Sequence, residues 1–116
     1  IWDDKRMKRA GLDYWHLVTV QRHLTFEAYR EKYPNQRLFY ATTKASKSYA
    51  EINFTPNDSI VFGPESRGLP DHILSLQPEH NIRIPMFREA RSLNLSNSVA
   101  IILYEALRQL DFPGLD

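Results

Sequence analysis

Twice in this chain an apolar, strand-like stretch stops at a glycine or proline. Each time a loop dense in small polar and charged residues then leads into a helix. The first break is Phe62-Gly63-Pro64-Glu65-Ser66-Arg67-Gly68-Leu69-Pro70. The second runs from Ile84-Pro85-Met86 to Arg91-Ser92-Leu93-Asn94-Leu95-Ser96-Asn97-Ser98-Val99-Ala100. Short strands alternating with helices predict an α/β architecture with a mainly parallel sheet. Two such loops in one small domain predict a single site built largely from backbone groups, suited to gripping a small organic cofactor.

The rest of the chain fits that alternation. Residues 2–10 place Asp3 and Asp4 before Lys5, Arg6, Lys8 and Arg9, an order that complements a helix dipole, and Gly11 is a natural stop. Residues 14–20 are aromatic and β-branched and predict a strand. Thr25 is a candidate N-cap for a helix to Lys32, with Phe26, Tyr29 and Tyr33 on one face. Arg37 to Thr42, Asp58 to Phe62 and Asn81 to Met86 predict three further strands, short and apolar as buried parallel strands are. A short helix is expected from Pro70-Asp71 to Leu76. The last helix is expected from Asn97 to Leu110, with Val99, Ile102, Leu103, Ala106, Leu107 and Leu110 forming its apolar stripe, and Pro113-Gly114 closing it.

At 116 residues the chain is one domain's worth, and 42% hydrophobic with 25% charged residues is ordinary for a globular protein. No apolar run approaches the ~20 residues of a membrane span. The chain has 0 cysteines, which excludes disulfide scaffolds, thiolate metal sites and cysteine nucleophiles, and fits a reducing compartment such as the cytoplasm. A net charge of only +1 means that any nucleic-acid contact comes from local basic patches.

Several chemistries are excluded by what stands at key positions. Gly63 and Gly68 have the spacing of a phosphate-binding loop, but Leu69-Pro70 occupies the place of the required Lys and Ser/Thr. No dinucleotide fingerprint or nucleophile elbow is present. His16, His23, His72 and His80 lack ligand spacing and read as packing or surface residues, so no metal is expected. Glu65 either satisfies loop amides and pairs with Arg67 or Arg91, or orients a substrate hydroxyl. Ser92 and Asn94 either cap the last helix or line the pocket; Asn94, Ser96, Asn97 and Ser98 are more polar groups than one cap needs. Lys5, Arg6, Lys8 and Arg9 form either a solvated helix face or a phosphate-contacting patch.

The two loop segments resemble the second and third signatures of the SPOUT RNA ribose methyltransferases. Trp2-Asp3-Asp4-Lys5-Arg6, Ala10-Gly11-Leu12-Asp13-Tyr14, Ala41-Thr42-Thr43-Lys44 and Tyr104-Glu105-Ala106 narrow the resemblance. They point to the small single-domain branch that 2′-O-methylates the wobble nucleotide of tRNA, cytidine or uridine at position 34. The resemblance covers nearly the whole chain. It implies one domain over residues 1–116, a parallel sheet with helices on both faces, and a C-terminal deep trefoil knot, a rare exception to the usual rules of chain connection. It also implies a homodimer, S-adenosyl-L-methionine as cofactor, and the tRNA anticodon stem-loop as partner, with no membrane and no metal.

By the same resemblance, Ala41, Gly63, Ile84, Met86, Ser92 and Leu93 hold the cofactor, with Gly63 and Gly68 small so that backbone can approach it. Glu65, Ser92 and Asn94 organise the catalytic site and the ribose, while Arg67 and Arg91 lie near RNA phosphate or the cofactor carboxylate. Family members also carry a first signature after their first strand, with an Asn and the Arg proposed as base. That strand, the first helix and the signature are expected to lie upstream of Ile1. A chain that keeps the pocket without that base is expected to bind cofactor yet turn over poorly. The competing expectation is a non-catalytic RNA-binding or dimerisation module with the same fold.

Overall fold

The computed structural model of the chain describes residues 26–64, 67–87 and 94–116. The helix expected at 2–10, the strand at 14–20, the basic cluster and the Thr25 cap lie outside them. The described elements are helix α1 (Phe26–Lys32), strand β1 (Leu38–Ala41), a one-turn 3-10 helix (Tyr49–Glu51), strand β2 (Ser59–Val61), helix α2 (Asp71–Leu74), a second 3-10 turn (Pro78–His80), strand β3 (Asn81–Ile82) and helix α3 (Leu95–Gln109). The strands lie in the order β2-β1-β3, and both pairings are parallel. Each strand is shorter than its apolar run, because the flanking residues leave the ladder to form the loops between elements.

β1 is the centre of the sheet and is buried on both faces: Leu38, Phe39 and Tyr40 are 5%, 2% and 1% exposed. Side chains alternate along a strand, so its residues divide between two cores. Leu38 and Tyr40 pack with Leu69, Ile73 and Leu74, covered by Phe26 and Tyr29 of α1. Phe39 packs on the opposite face with Ile52, Phe54, Ile82 and Ile102, joined by Ala41 and by Ala106 of α3. The register agrees, since Phe39 pairs with Ile60 and Ala41 with Ile82, all on the second face. Helices therefore cover both faces, as expected. His80 stacks on Phe39 with ring centroids 4.8 Å apart, and its Nδ1 lies 2.6 Å from the Leu38 carbonyl, which requires Nδ1 to be the donor. This histidine is a packing residue.

The start of the last helix is corrected. It begins at Leu95 rather than Asn97, and Asn94 is the N-cap, its Oδ1 accepting the Asn97 N–H at 2.8 Å. Asn94 therefore satisfies one of the free amides of the first turn. The helix ends at Gln109 with Leu110 as its C-cap, within one residue of the expected end. Asp111 donates its N–H to the Arg108 carbonyl at 3.1 Å and Phe112 donates to Leu107 at 2.8 Å, the pair of bonds of a Schellman ending. Asp111 takes φ 62° to make that turn. α2 ends at Leu74, not Leu76.

Gln109 fastens the last turn of α3 to the chain ahead of β2. Its Nε2 donates to the Ile52 carbonyl and its Oε1 accepts the Phe54 N–H, both at 2.8 Å. Glu105, one turn earlier, accepts from Gln109 at 2.8 Å and from Arg108 at 2.8 and 3.0 Å. These bonds, the Arg108 one foremost, hold its carboxyl down at about 2.

A left-handed residue at a helix end is cheapest as glycine, because a Cβ there costs ~1–2 kcal/mol. Asp111→Gly is expected to raise the unfolding free energy by about 1 kcal/mol, measured by urea denaturation. Unchanged or lower stability would contradict the assigned ending.

Candidate active site

Parallel pairing sends the carboxyl ends of all three strands to one edge of the sheet, the usual place for a ligand in an open α/β sheet. A cavity of about 310 Å³ lies there. Ala41, Thr42, Thr43 and Lys44 line it after β1, and Phe62, Gly63, Pro64, Arg67, Gly68 and Leu69 after β2. Ile82, Arg83, Ile84 and Met86 line it along and after β3, and Leu95, Ser98 and Ile102 of α3 complete it.

Each wall has a local cause. The Thr42 N–H donates to the Ile82 carbonyl at 2.9 Å, carrying the ladder one step past β1. The chain then turns, with the Lys44 N–H donating to Thr42 Oγ1 at 3.1 Å and the Ala45 N–H to the Thr42 carbonyl at 3.3 Å. After β2 the Gly68 N–H donates back to the Pro64 carbonyl at 2.9 Å, closing the glycine-rich loop on itself. At β3 the Arg83 N–H donates to the Lys47 carbonyl and its own carbonyl accepts the Tyr49 N–H, each at 2.9 Å. The 47–49 segment thus pairs beside Arg83 as an extra parallel bridge through Ser48.

Each of the two glycines has a reason within its own loop. A Cβ on Gly63 would collide with the carbonyl carbon of Gly68 and the amide nitrogen of Leu69, and would lie 2.7 Å from the Gly68 Cα. Gly63 is small because its own loop folds back on it. Gly68 has open space around it but takes φ +70°, a left-handed turn that disfavours side chains.

The structure brings together Ala41, Gly63, Ile84, Met86 and Arg67 around this cavity. Asn94 caps the helix whose next residues, Leu95 and Ser98, line it. Glu65, Arg91, Ser92 and Leu93 lie outside the described residues. Sequence reasoning did not single out Lys44, Leu69, Arg83, Leu95 or Ile102 as site residues. Lys44 had a signal, since it follows the break after β1; Arg83 had none, being one polar residue inside an apolar run. The lining is cationic: it holds Lys44, Arg67 and Arg83, and among the described lining residues no Asp or Glu. Lys44 Nζ meets Asp71 Oδ1 at 3.0 Å, but with side chains 67% and 87% exposed that pair contributes little. Arg83 Nε is buried with no hydrogen-bond partner among the described residues.

Among the described residues, a three-stranded parallel sheet with helices on both faces and a cavity at its carboxyl edge, walled by a self-folded glycine loop and the capped start of a helix, defines an α/β protein with a small-molecule site. The chain belongs to the SpoU rRNA Methylase family, whose sequence model matches residues 1–104. The protein of Escherichia coli (strain K12) named tRNA (cytidine(34)-2'-O)-methyltransferase is 49% identical over 114 residues, covering 97% of this chain and 73% of its own. A solved structure described as giving insight into the 2-OH methylation of C/U34 on tRNA superposes with a TM-score of 0.77 at 40% identity, over 96% of this chain and 72% of that one. The SpoU methyltransferase AviRb from Streptomyces viridochromogenes, solved in complex with the cofactor AdoMet, superposes with a TM-score of 0.60 at 30% identity, over 73% of this chain and 33% of that one.

Gly63→Ala forces the Gly68–Leu69 backbone to move, whereas Gly68→Ala only strains one dihedral by ~1–2 kcal/mol. In denaturant titrations Gly63→Ala is expected to lose clearly more stability than Gly68→Ala. The reverse order would show that the loop closes differently.

Proposed function

We propose that this chain is a methyltransferase acting on the ribose 2′-hydroxyl of nucleotide 34, cytidine or uridine, in the tRNA anticodon stem-loop. S-adenosyl-L-methionine is the methyl donor. The observation that carries the reading is the cavity at the ends of three parallel strands, lined by Ala41, Gly63, Ile84 and Met86, in a chain whose relatives act on that hydroxyl.

The residues present fit the donor. The volume of about 310 Å³ lies at the low end of the ~300–1,000 Å³ range of small-molecule sites. Apolar walls from Ile84, Met86, Leu69 and Ile102 suit an aromatic base, and backbone at Ala41, Gly63 and Ile84 offers amides and carbonyls to its edge. Ser92 and Leu93 join that cofactor set. When bound, the donor supplies a methyl group on an already positive sulfur, so the leaving group needs no further activation. What the protein supplies is alignment, which in favourable cases contributes ~7–11 kcal/mol, against the 10²–10⁴-fold typical of a general base.

In this reading Glu65, Ser92 and Asn94 organise the ribose, and Arg67 and Arg91 face RNA phosphate. The chain folds as one SPOUT domain whose C-terminal segment is threaded as a trefoil knot, works as a homodimer, and acts in the cytoplasm. Among the described residues no helix is long and apolar enough to cross a membrane.

The direct test is transfer of a labelled methyl group from S-adenosyl-L-methionine to an anticodon stem-loop by the full chain, with the modified position mapped. A 2′-O-methyl at nucleotide 34 is expected, whereas stem-loop binding with neither transfer nor binding of S-adenosylhomocysteine favours the non-catalytic module.

Asn94 gives a second test because its cap and its proposed ribose contact can be separated. Asp is as good an N-cap as Asn. Asn94→Asp is therefore expected to change stability by no more than about 0.5 kcal/mol, leave cofactor affinity unchanged and cut transfer at least about tenfold. Transfer at the wild-type rate would reduce Asn94 to a cap alone.

A further inference from the structure

We propose that Arg83 is the oxyanion-binding residue of the cavity, its guanidinium taking the carboxylate of the methyl donor's amino-acid tail. The inference deepens the cofactor assignment and rests on it. Three observations meet at this residue. Arg83 lines the cavity, and its own backbone N–H and carbonyl are already engaged by Lys47 and Tyr49. What it has left to offer a ligand is its side chain. That side chain has a buried Nε with no hydrogen-bond partner, and no ion pair or hydrogen bond joins it to any described residue.

A buried donor without an acceptor costs ~1–3 kcal/mol, and more where the group is charged, so native proteins rarely leave one unanswered. Alternation along the strand separates Arg83 from Ile82, which is 0% exposed and packs in the α3-side core. Arg83 therefore belongs to the other side of the sheet, where Leu69 packs and also lines the cavity. The remaining lining cations are less suited. Lys44 and Arg67 are both exposed, so water already solvates their charges. A planar guanidinium can bind a carboxylate through two parallel bonds. The same chemistry suits an RNA phosphate, but burial of Nε favours a group carried into the cavity by a small molecule over a backbone phosphate approaching from solvent.

Titration calorimetry on the full chain tests the assignment with S-adenosylhomocysteine and its decarboxylated analogue. Wild type is expected to bind S-adenosylhomocysteine about ten- to a hundredfold more tightly than the analogue, the range of a charge-assisted hydrogen bond. Arg83→Met should remove that preference while binding the analogue as wild type does; Arg83→Lys should keep part of it. An Arg83→Met protein, folded by circular dichroism, that retains the full preference would overturn the proposal. Should Arg83→Met instead weaken stem-loop binding and flatten its salt dependence with the preference intact, the oxyanion is a phosphate and the carboxylate assignment fails. If wild type binds neither nucleoside, the cofactor assignment itself falls, and the Arg83 inference with it.

Discussion

The parallel pairing of β1 with both of its neighbours is the constraint on which the rest of this molecule depends. Because β2 and β3 run in the same direction as β1, the loops after all three strands emerge at one edge of the sheet. An antiparallel neighbour would send one of those loops to the opposite edge and open the cavity. The pairing is held by burial on both sides: Leu38 and Tyr40 serve one core and Phe39 the other. Hydrophobic burial at roughly 25 cal/mol per Å² fixes the strand's register, since a slip of one residue would exchange the two faces. Phe39 and Tyr40 are too different in shape and polar content to trade places.

From that fixed edge the chemistry of the cavity follows by subtraction. The chain leaves the ladder where the strands end, and Ala41, Gly63 and Ile84 line the cavity there. Backbone groups beside them are spoken for, as at Thr42, whose N–H bonds Ile82, and at Arg83, flanked by the 47–49 segment. The lining combines loop residues after each strand, apolar side chains and three cations. That is a suitable mixture for a ligand with a flat heterocycle at one end and an anionic group at the other. α3 closes the cavity while Gln109, at the helix's far end, ties it to Ile52 and Phe54. One helix thus couples core packing to the site.

Much of this was legible in the sequence because local signals and tertiary packing agree. The strand cores around Leu38–Ala41 and Ser59–Val61 are apolar runs bounded by turn residues, and α3 carries its stripe at helical spacing. Ala41, Gly63, Ile84 and Met86 came from the family resemblance, and the structure lines one cavity with them. What differed lies in local backbone geometry that residue types leave open. Asn94 was offered as a cap or a pocket residue, and it does cap, accepting the Asn97 N–H, with the helix starting two residues earlier than expected. The end of α3 was expected at Leu110, its observed C-cap, but the left-handed turn that stops it falls on Asp111, ahead of Pro113-Gly114. Gly63 suggested close approach to a ligand, but the crowding comes from Gly68 and Leu69 of its own loop. Arg83 was invisible because nothing in a strand's pattern says that its backbone is already paired.

The central claim is that three strand ends form one cofactor site, and hydrogen–deuterium exchange with and without S-adenosylhomocysteine tests it most directly. The account predicts slowed exchange in three stretches together, 41–44, 62–69 and 82–86, with α1 unchanged. Saturable binding that slows exchange elsewhere, or in only one of these stretches, would contradict it.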